Sequence, residues 1–125
     1  MELCRCFKSI VELDEAAVVL CDVNHKIIYM NPAAIKRYAK RGGAKLLGRN
    51  LLDCHNENSC GIIKDCLKRF EEDISCNKIY TYHNTRNGEN CDCYIVAVRD
   101  DDGGLIGYYE KFESRTLEEE KQCTN

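Results

Sequence analysis

Leu20-Cys21-Asp22-Val23-Asn24-His25-Lys26-Ile27-Ile28-Tyr29-Met30-Asn31-Pro32-Ala33-Ala34 is the stretch whose order of elements decides the fold. Ala17 to Cys21 and Lys26 to Met30 are rich in β-branched and aliphatic residues, and Asp22, Asn24 and His25 between them suit a tight reversal, so the segment predicts a β-hairpin. Asn31 can accept from the free amides of a following helical turn. Pro32 lacks only an amide that would be unpaired at the first helical position anyway. A helix is therefore expected from Pro32, with Ala34, Ile35, Tyr38 and Ala39 at helical spacing. Lys36, Arg37, Lys40 and Arg41 lie mostly on its other face, and Gly42-Gly43 ends it.

Upstream, Leu3, Cys6, Phe7, Ile10 and Leu13 recur at three- and four-residue steps and predict an amphipathic N-terminal helix. Downstream, Ala44 to Leu47 offers one short turn, and Asp53 to Asn58 reads as a polar connector. From Ser59 to Phe70 the residues Ile62, Ile63, Cys66, Leu67 and Phe70 form one apolar stripe, the strongest helical pattern in the chain. Lys78 to Asn84, Cys91 to Arg99 and Leu105 to Phe112 read as strands, with Asn87-Gly88 and Asp102-Gly103-Gly104 supplying hairpin residues. Thr116 to Gln122 is helix-permissive. The expected fold is α+β: a five-stranded antiparallel sheet with helices on one face and an N-terminal amphipathic cap helix.

A chain of 125 residues is one domain's worth. Net charge of -3 provides no overall basic field, and the basic cluster around Lys36 to Arg41 is short, so direct nucleic-acid binding is not expected. The longest apolar run, Ala16 to Cys21, falls far short of the ~20 residues that span a bilayer, and no positively charged leader precedes a signal-like core. A cytoplasmic protein is expected, without membrane contact. Its ten cysteines are then thiols or metal ligands rather than a disulfide framework, and most are expected to be small buried hydrophobes.

Three segments in this order resemble the PAS domain family. The aspartate-centred hairpin with Asn31-Pro32-Ala33-Ala34 resembles the family's opening strands and first helix. Leu46-Leu47-Gly48-Arg49-Asn50-Leu51-Leu52-Asp53 resembles its "L-x-G-[KR]" step into the central loop. Asn87-Gly88 through Tyr109, including Tyr94-Ile95-Val96-Ala97-Val98 and Gly104-Leu105-Ile106-Gly107, resembles its paired closing strands. Cys54-His55 also resembles a bacterial PAS subgroup with "C-H" at this point. The boundaries implied are a cap helix over 1–14, a PAS core over 15–113 and a tail or short signalling helix over 114–125. The family's closing "D-x-T" appears as Ser114-Arg115-Thr116, with Ser in place of Asp. Only nine residues follow, so any signal, including one that regulates transcription, is expected to pass to a separate effector protein.

The resemblance implies a small-ligand pocket between sheet and helices. The residues assigned to it are Ile35, Tyr38, Cys54, His55, Ile62, Cys66, Phe70, Tyr94 and Val96. It also implies a homodimer through the N-terminal helix, at Leu3, Cys6, Phe7 and Ile10. His55 can contact the ligand or ligate a haem iron, since imidazole serves both roles, or it can simply cap the Ser59 helix or organise its loop. A flavin adduct is disfavoured because Leu51 stands where the family's "G-x-N-C" motif has its thiol; simple flavin binding stays open.

Cys91 and Cys93 share one strand face. If the N-terminal helix crosses that face, Cys4 and Cys6 could complete a four-thiolate site. Structural zinc sites favour two to four residues between paired cysteines, however, and on a helix Cys4 and Cys6 point about 200° apart, so no metal is expected. Alternation makes both faces of this strand apolar and does not say which one lines the pocket. No facing nucleophile and base emerge, so an enzyme is not expected. The alternatives to a ligand sensor are an interaction domain whose pocket is filled by side chains such as Tyr38, Phe70 and Tyr94, and a thiol- or metal-linked redox sensor.

Overall fold

The computed structural model describes residues 2–85 and 88–115. Helix α1 (Leu3–Glu12) leads into β1 (Ala17–Asp22) and β2 (Ile27–Met30), followed by α2 (Pro32–Arg37), three 3-10 turns, α3 (Glu57–Glu72), β3 (Lys78–Asn84), β4 (Cys91–Arg99) and β5 (Leu105–Ser114). The five strands form one antiparallel sheet in the order β2-β1-β5-β4-β3, so the last strand lies at the centre between the first and the fourth. This is the α+β arrangement expected from the sequence.

Asn31 ties the opening elements together. Its Oδ1 accepts from the amides of Ala34 and Val18, each at 2.9 Å, and its Nδ2 donates to the carbonyls of Ala16, Val11 and Asp14 at 2.8, 3.0 and 3.3 Å. One fully buried side chain thus caps α2, holds the edge of β1 and fixes the exit of α1. The helix is shorter than the apolar spacing predicts. It ends at Arg37, and the chain tightens into a 3-10 turn over Ala39–Arg41, with the Tyr38 carbonyl accepting from Arg41 and Gly43.

Gly48, at φ +84°, lets the next segment run back along β2: its amide donates to Ile27, the Ile27 amide donates to Arg49, and that of Leu51 donates to His25. The polar connector is shorter than expected. Asn56 accepts from the Ser59 amide at 2.8 Å, so α3 begins at Glu57 and runs to Glu72. Its stripe of Ile63, Cys66, Leu67 and Phe70 is buried against the sheet.

At the other end of α3, the Arg99 guanidinium donates to the carbonyls of Phe70, Cys76, Gly103 and Asp73 at 2.7, 3.0, 3.0 and 3.3 Å, and to Asn77 Oδ1 at 2.6 Å. These bonds satisfy helix-terminal carbonyls and lock the β4–β5 turn to them. Gly88 has φ +75°, as a turn requires, whereas Asn87 and the expected helix over Thr116 to Gln122 lie outside the described residues.

Register settles which sheet face is inward. Ala17, Val19 and Cys21 pair with Phe112, Glu110 and Tyr108, which in turn pair with Cys93, Ile95 and Ala97. These residues face α2 and α3, and the opposite face carries Tyr94, Val96, Val98, Tyr109 and Lys111. The assignment of Tyr94 and Val96 to the pocket is therefore corrected: they lie on the outer face, where Tyr94 meets the Tyr80 ring at 5.7 Å and Lys78 Nζ at 4.2 Å. A period-two pattern with apolar residues on both faces has no handle for choosing between them.

Cys91 and Cys93 face the core. The C-terminal end of α1 is instead bound to the outer side, through Glu12 to the Tyr29 hydroxyl and through Asp14 to Lys111. The four cysteines do not converge, and among the described residues no group of three or more His, Cys, Asp or Glu side chains could hold a metal. No described helix is long and apolar enough to cross a membrane.

Candidate functional site

Between the first half of α3 and the inner face of the sheet lies a small cavity of about 20 Å³, lined by His55, Ser59, Ile62, Ile63, Thr81, Tyr82, Cys93, Ile95 and Glu110. Its apolar wall follows from the α3 stripe and the inward alternation of β4. Tyr82 reaches it through a β-bulge between Tyr80 and Tyr82, which shifts the register of β3 so that Tyr80 faces outward and Tyr82 inward. The Thr81 hydroxyl donates to the Cys93 carbonyl at 2.9 Å across this irregularity.

The polar wall is built around Glu110, 2% exposed at the centre of the central strand. The Tyr38 hydroxyl donates to its Oε1 at 2.5 Å, and His55 Nε2 stands 3.3 Å from its Oε2. His55 Nδ1 is 2.9 Å from the Leu51 carbonyl, which can only accept, so Nδ1 carries a proton. Both imidazole nitrogens therefore face acceptors, and the His55–Glu110 pair holds a further proton between Nε2 and Oε2.

Burial opposes the charged imidazole. The hydrogen bond and charge of Glu110, with the Leu51 carbonyl, outweigh it and raise the His55 pKa above 6.5. Burial and then the Glu110 charge hold the Tyr38 phenol well above its ordinary range. Burial likewise pushes the Cys93 thiol up to about 12, and that of Cys21 to about 12, so neither is poised as a thiolate.

Of the residues assigned to the pocket from the sequence, His55 and Ile62 line the cavity, and Tyr38 reaches it through Glu110. Cys66 and Phe70 are buried in the core away from it, Phe70 beside a second, larger opening at the far end of α3. Ile35 and Cys54 pack partly buried against the core. Glu110 was not among the candidates, although Tyr108, Glu110 and Phe112 alternate along β5 and place an acid between two aromatic residues on one face. His55 neither caps α3, a role taken by Asn56, nor presents a free nitrogen to an iron, since both ring nitrogens are engaged. The residues present thus do not fit haem ligation. Leu51, at the position of the flavin motif's cysteine, is buried in the core.

On the expected dimer surface, Leu3, Phe7 and Ile10 are 64%, 60% and 69% exposed in the single chain, while Cys6 is partly buried. At the exit of β5, Arg115 grips both oxygens of Asp92 at 2.9 and 3.0 Å, and Asp92 also lies 2.9 Å from His83 Nδ1.

No curated protein sequence matches the chain significantly. Among solved structures, a C-terminal domain from Streptococcus mutans superposes with a TM-score of 0.71 at 17% identity, covering 89% of this chain and 84% of that one. The PAS domain of a protein from Colwellia psychrerythraea gives 0.68 at 13% identity, with 92% and 98% covered. A sensory box sensor histidine kinase from Vibrio cholerae gives 0.57 at 13% identity, with 91% and 94% covered. PAS domains are sensory modules of kinases and receptors. A family profile described as PAS domain matches residues 15–112, from the entry to β1 almost to the end of β5. With the sheet order, the inward cavity and this match in agreement, the chain belongs to the PAS domain family.

Proposed function

We propose that the chain is a sensory module that admits a small ligand between α3 and the inner sheet face and relays occupancy through its outer surfaces to a second copy of itself or to a separate effector protein. The observation that carries this reading is the buried Tyr38–Glu110–His55 group beside the cavity. A buried ion pair is weak support for stability and can often be replaced by apolar residues without loss. Recognition of a ligand accounts for a charged group kept where packing leaves space. At about 20 Å³ the cavity holds roughly one water, so a larger ligand enters only as α3 and β3 move apart. Occupancy then shifts a population of α3 positions, and the change reaches the outer face through the sheet. The role is binding and relay rather than catalysis, and the setting cytoplasmic.

Homodimerisation belongs to the same proposal. The exposed stripe Leu3, Phe7, Ile10 and Leu13 on α1 lies beside an outer sheet face rich in tyrosine and valine, a surface suited to a second copy. Sedimentation should show a dimer that Phe7→Glu with Ile10→Glu dissociates; an unchanged mass would remove α1 from the interface.

A second reading is supported by the smallness of the same cavity: Tyr38 and Phe70 fill much of the interior, as an interaction domain needing no ligand would have it. Native mass spectrometry of anaerobically purified protein, compared with the denatured mass, separates the two. An added mass, coupled to altered amide exchange in α1, supports sensing. Assembly with its effector at the bare chain mass, unaffected by any added small molecule, supports the interaction domain.

A further inference from the structure

The hydrogen-bonding groups of the cavity wall are not balanced. Both N–H groups of His55 are spent on Leu51 and Glu110, and the Thr81 hydroxyl proton on the Cys93 carbonyl, while the Tyr82 hydroxyl can donate or accept. Ser59 at the mouth can donate or accept. Glu110 is different. An ionised carboxylate accepts at about four lone-pair positions, and Tyr38 and His55 occupy two. Charge limits the choice further. The His55–Glu110 pair is neutral as a unit, so a cation would leave uncompensated charge among Ile62, Ile63 and Ile95, and an anion would oppose the carboxylate directly.

We infer that the cavity selects neutral, compact, largely apolar molecules that present one N–H or O–H donor to Glu110, such as azole-type or phenolic rings, and rejects isosteres that carry only acceptors. This rests on the ligand-binding reading above. The selection is one-sided for a physical reason: a donor gains a hydrogen bond to a charged acceptor that is 2% exposed, whereas an ether or fluorine sets lone pair against lone pair at that position.

The test uses pairs matched in shape: pyrrole against furan and phenol against fluorobenzene, titrated into the full chain while the backbone amides of Ser59, Ile63, Thr81 and Ile95 are followed by 1H–15N correlation. Concentrations extend to roughly 10 mM, since fragments this small bind weakly. The donor of each pair is expected to bind about tenfold to a hundredfold more tightly, as a hydrogen bond to a charged group implies. Glu110→Gln keeps an acceptor for Tyr38 but offers an N–H in place of one oxygen, so the preference should shrink to about threefold or less. Equal binding of the wild-type protein to donor and acceptor probes overturns the inference and leaves ligand binding standing, as does a preference that survives Glu110→Gln. No response to any of the four overturns the ligand-binding reading and this inference with it.

Discussion

Removing the imidazole from His55 should strand the Glu110 carboxylate. That group is 2% exposed and depends on two partners, Tyr38 at 2.5 Å and His55 at 3.3 Å. With one partner gone, its charge stays buried without compensation, which in comparable sites costs about 3–5 kcal/mol. A domain of this size is stable by about 5–15 kcal/mol in all, so His55→Ala should lower the denaturation midpoint severely. Glu110→Gln is milder, about 1 kcal/mol, because its amide can donate to a neutral His55 Nε2 while its oxygen still accepts from Tyr38. Adding His55→Ala to Glu110→Gln should then cost about 1 kcal/mol, mostly lost packing, which leaves a coupling of about 2 kcal/mol or more.

The pH dependence follows from the same pair. The folded-state pKa of His55 is raised, so its contribution is complete below 6.5 and is lost as pH rises through the folded value. His25, whose pKa is lowered by burial and by Lys64, works in the opposite sense. The difference between wild type and His55→Gln isolates the first. Urea denaturation of the four chains of the cycle and of His55→Gln at neutral pH, repeated at higher pH, measures both quantities. A coupling below about 0.5 kcal/mol, or a wild-type slope against pH that survives His55→Gln, would refute the shared proton.

Asn31→Ala removes two accepted and three donated hydrogen bonds from a fully buried position and should cost about 3 kcal/mol or more by equilibrium denaturation. Arg99→Lys keeps the charge but loses the fork that reaches Phe70, Cys76 and Gly103 together. About 2 kcal/mol is expected, with amide exchange quickening first in the last turn of α3. Gly107→Ala would set a Cβ 2.5 Å from the Cys21 carbonyl oxygen of the neighbouring strand; backbone cannot step aside, so roughly 1–3 kcal/mol should be lost, read from the thermal midpoint. Tyr94→Ala should leave pyrrole binding unchanged, since its side chain lies on the outer face; a loss of more than about threefold would reopen the face assignment.

What the sequence disclosed was local. The hairpin, the Asn31-Pro32 helix start and the α3 stripe are each written within a dozen residues, where turn chemistry and periodicity act directly. What it hid was relational. The facing of Tyr94 and Val96 depends on which side of the sheet α3 covers, and that is fixed by pairings between β5 and both β1 and β4. Tyr82 was concealed by the bulge, since strict alternation puts it beside Tyr80. His55 could be singled out as a loop histidine, but its role is defined by Glu110, 55 residues further along the chain. The isolated acid between Tyr108 and Phe112 was the available signal, and it becomes informative once β5 is known to be the central strand.

The three members of the buried group come from three separate parts of the fold: Tyr38 from the end of α2, His55 from the turn before α3 and Glu110 from the middle of the sheet. The group is therefore a polar tie between the helical side and the sheet, placed at the gap a ligand would have to widen. Apolar packing would close that gap with no dependence on what enters it. A hydrogen-bonded charge pair instead sets a defined penalty for separation and a defined chemistry for what can offset it. A molecule that donates to the open lone-pair positions of Glu110, with Tyr38 and His55 still in place, offsets part of what opening the cavity costs, whereas one that cannot leaves those positions unfilled. The same group thus governs both the ease with which the cavity opens and the kind of molecule that can hold it open.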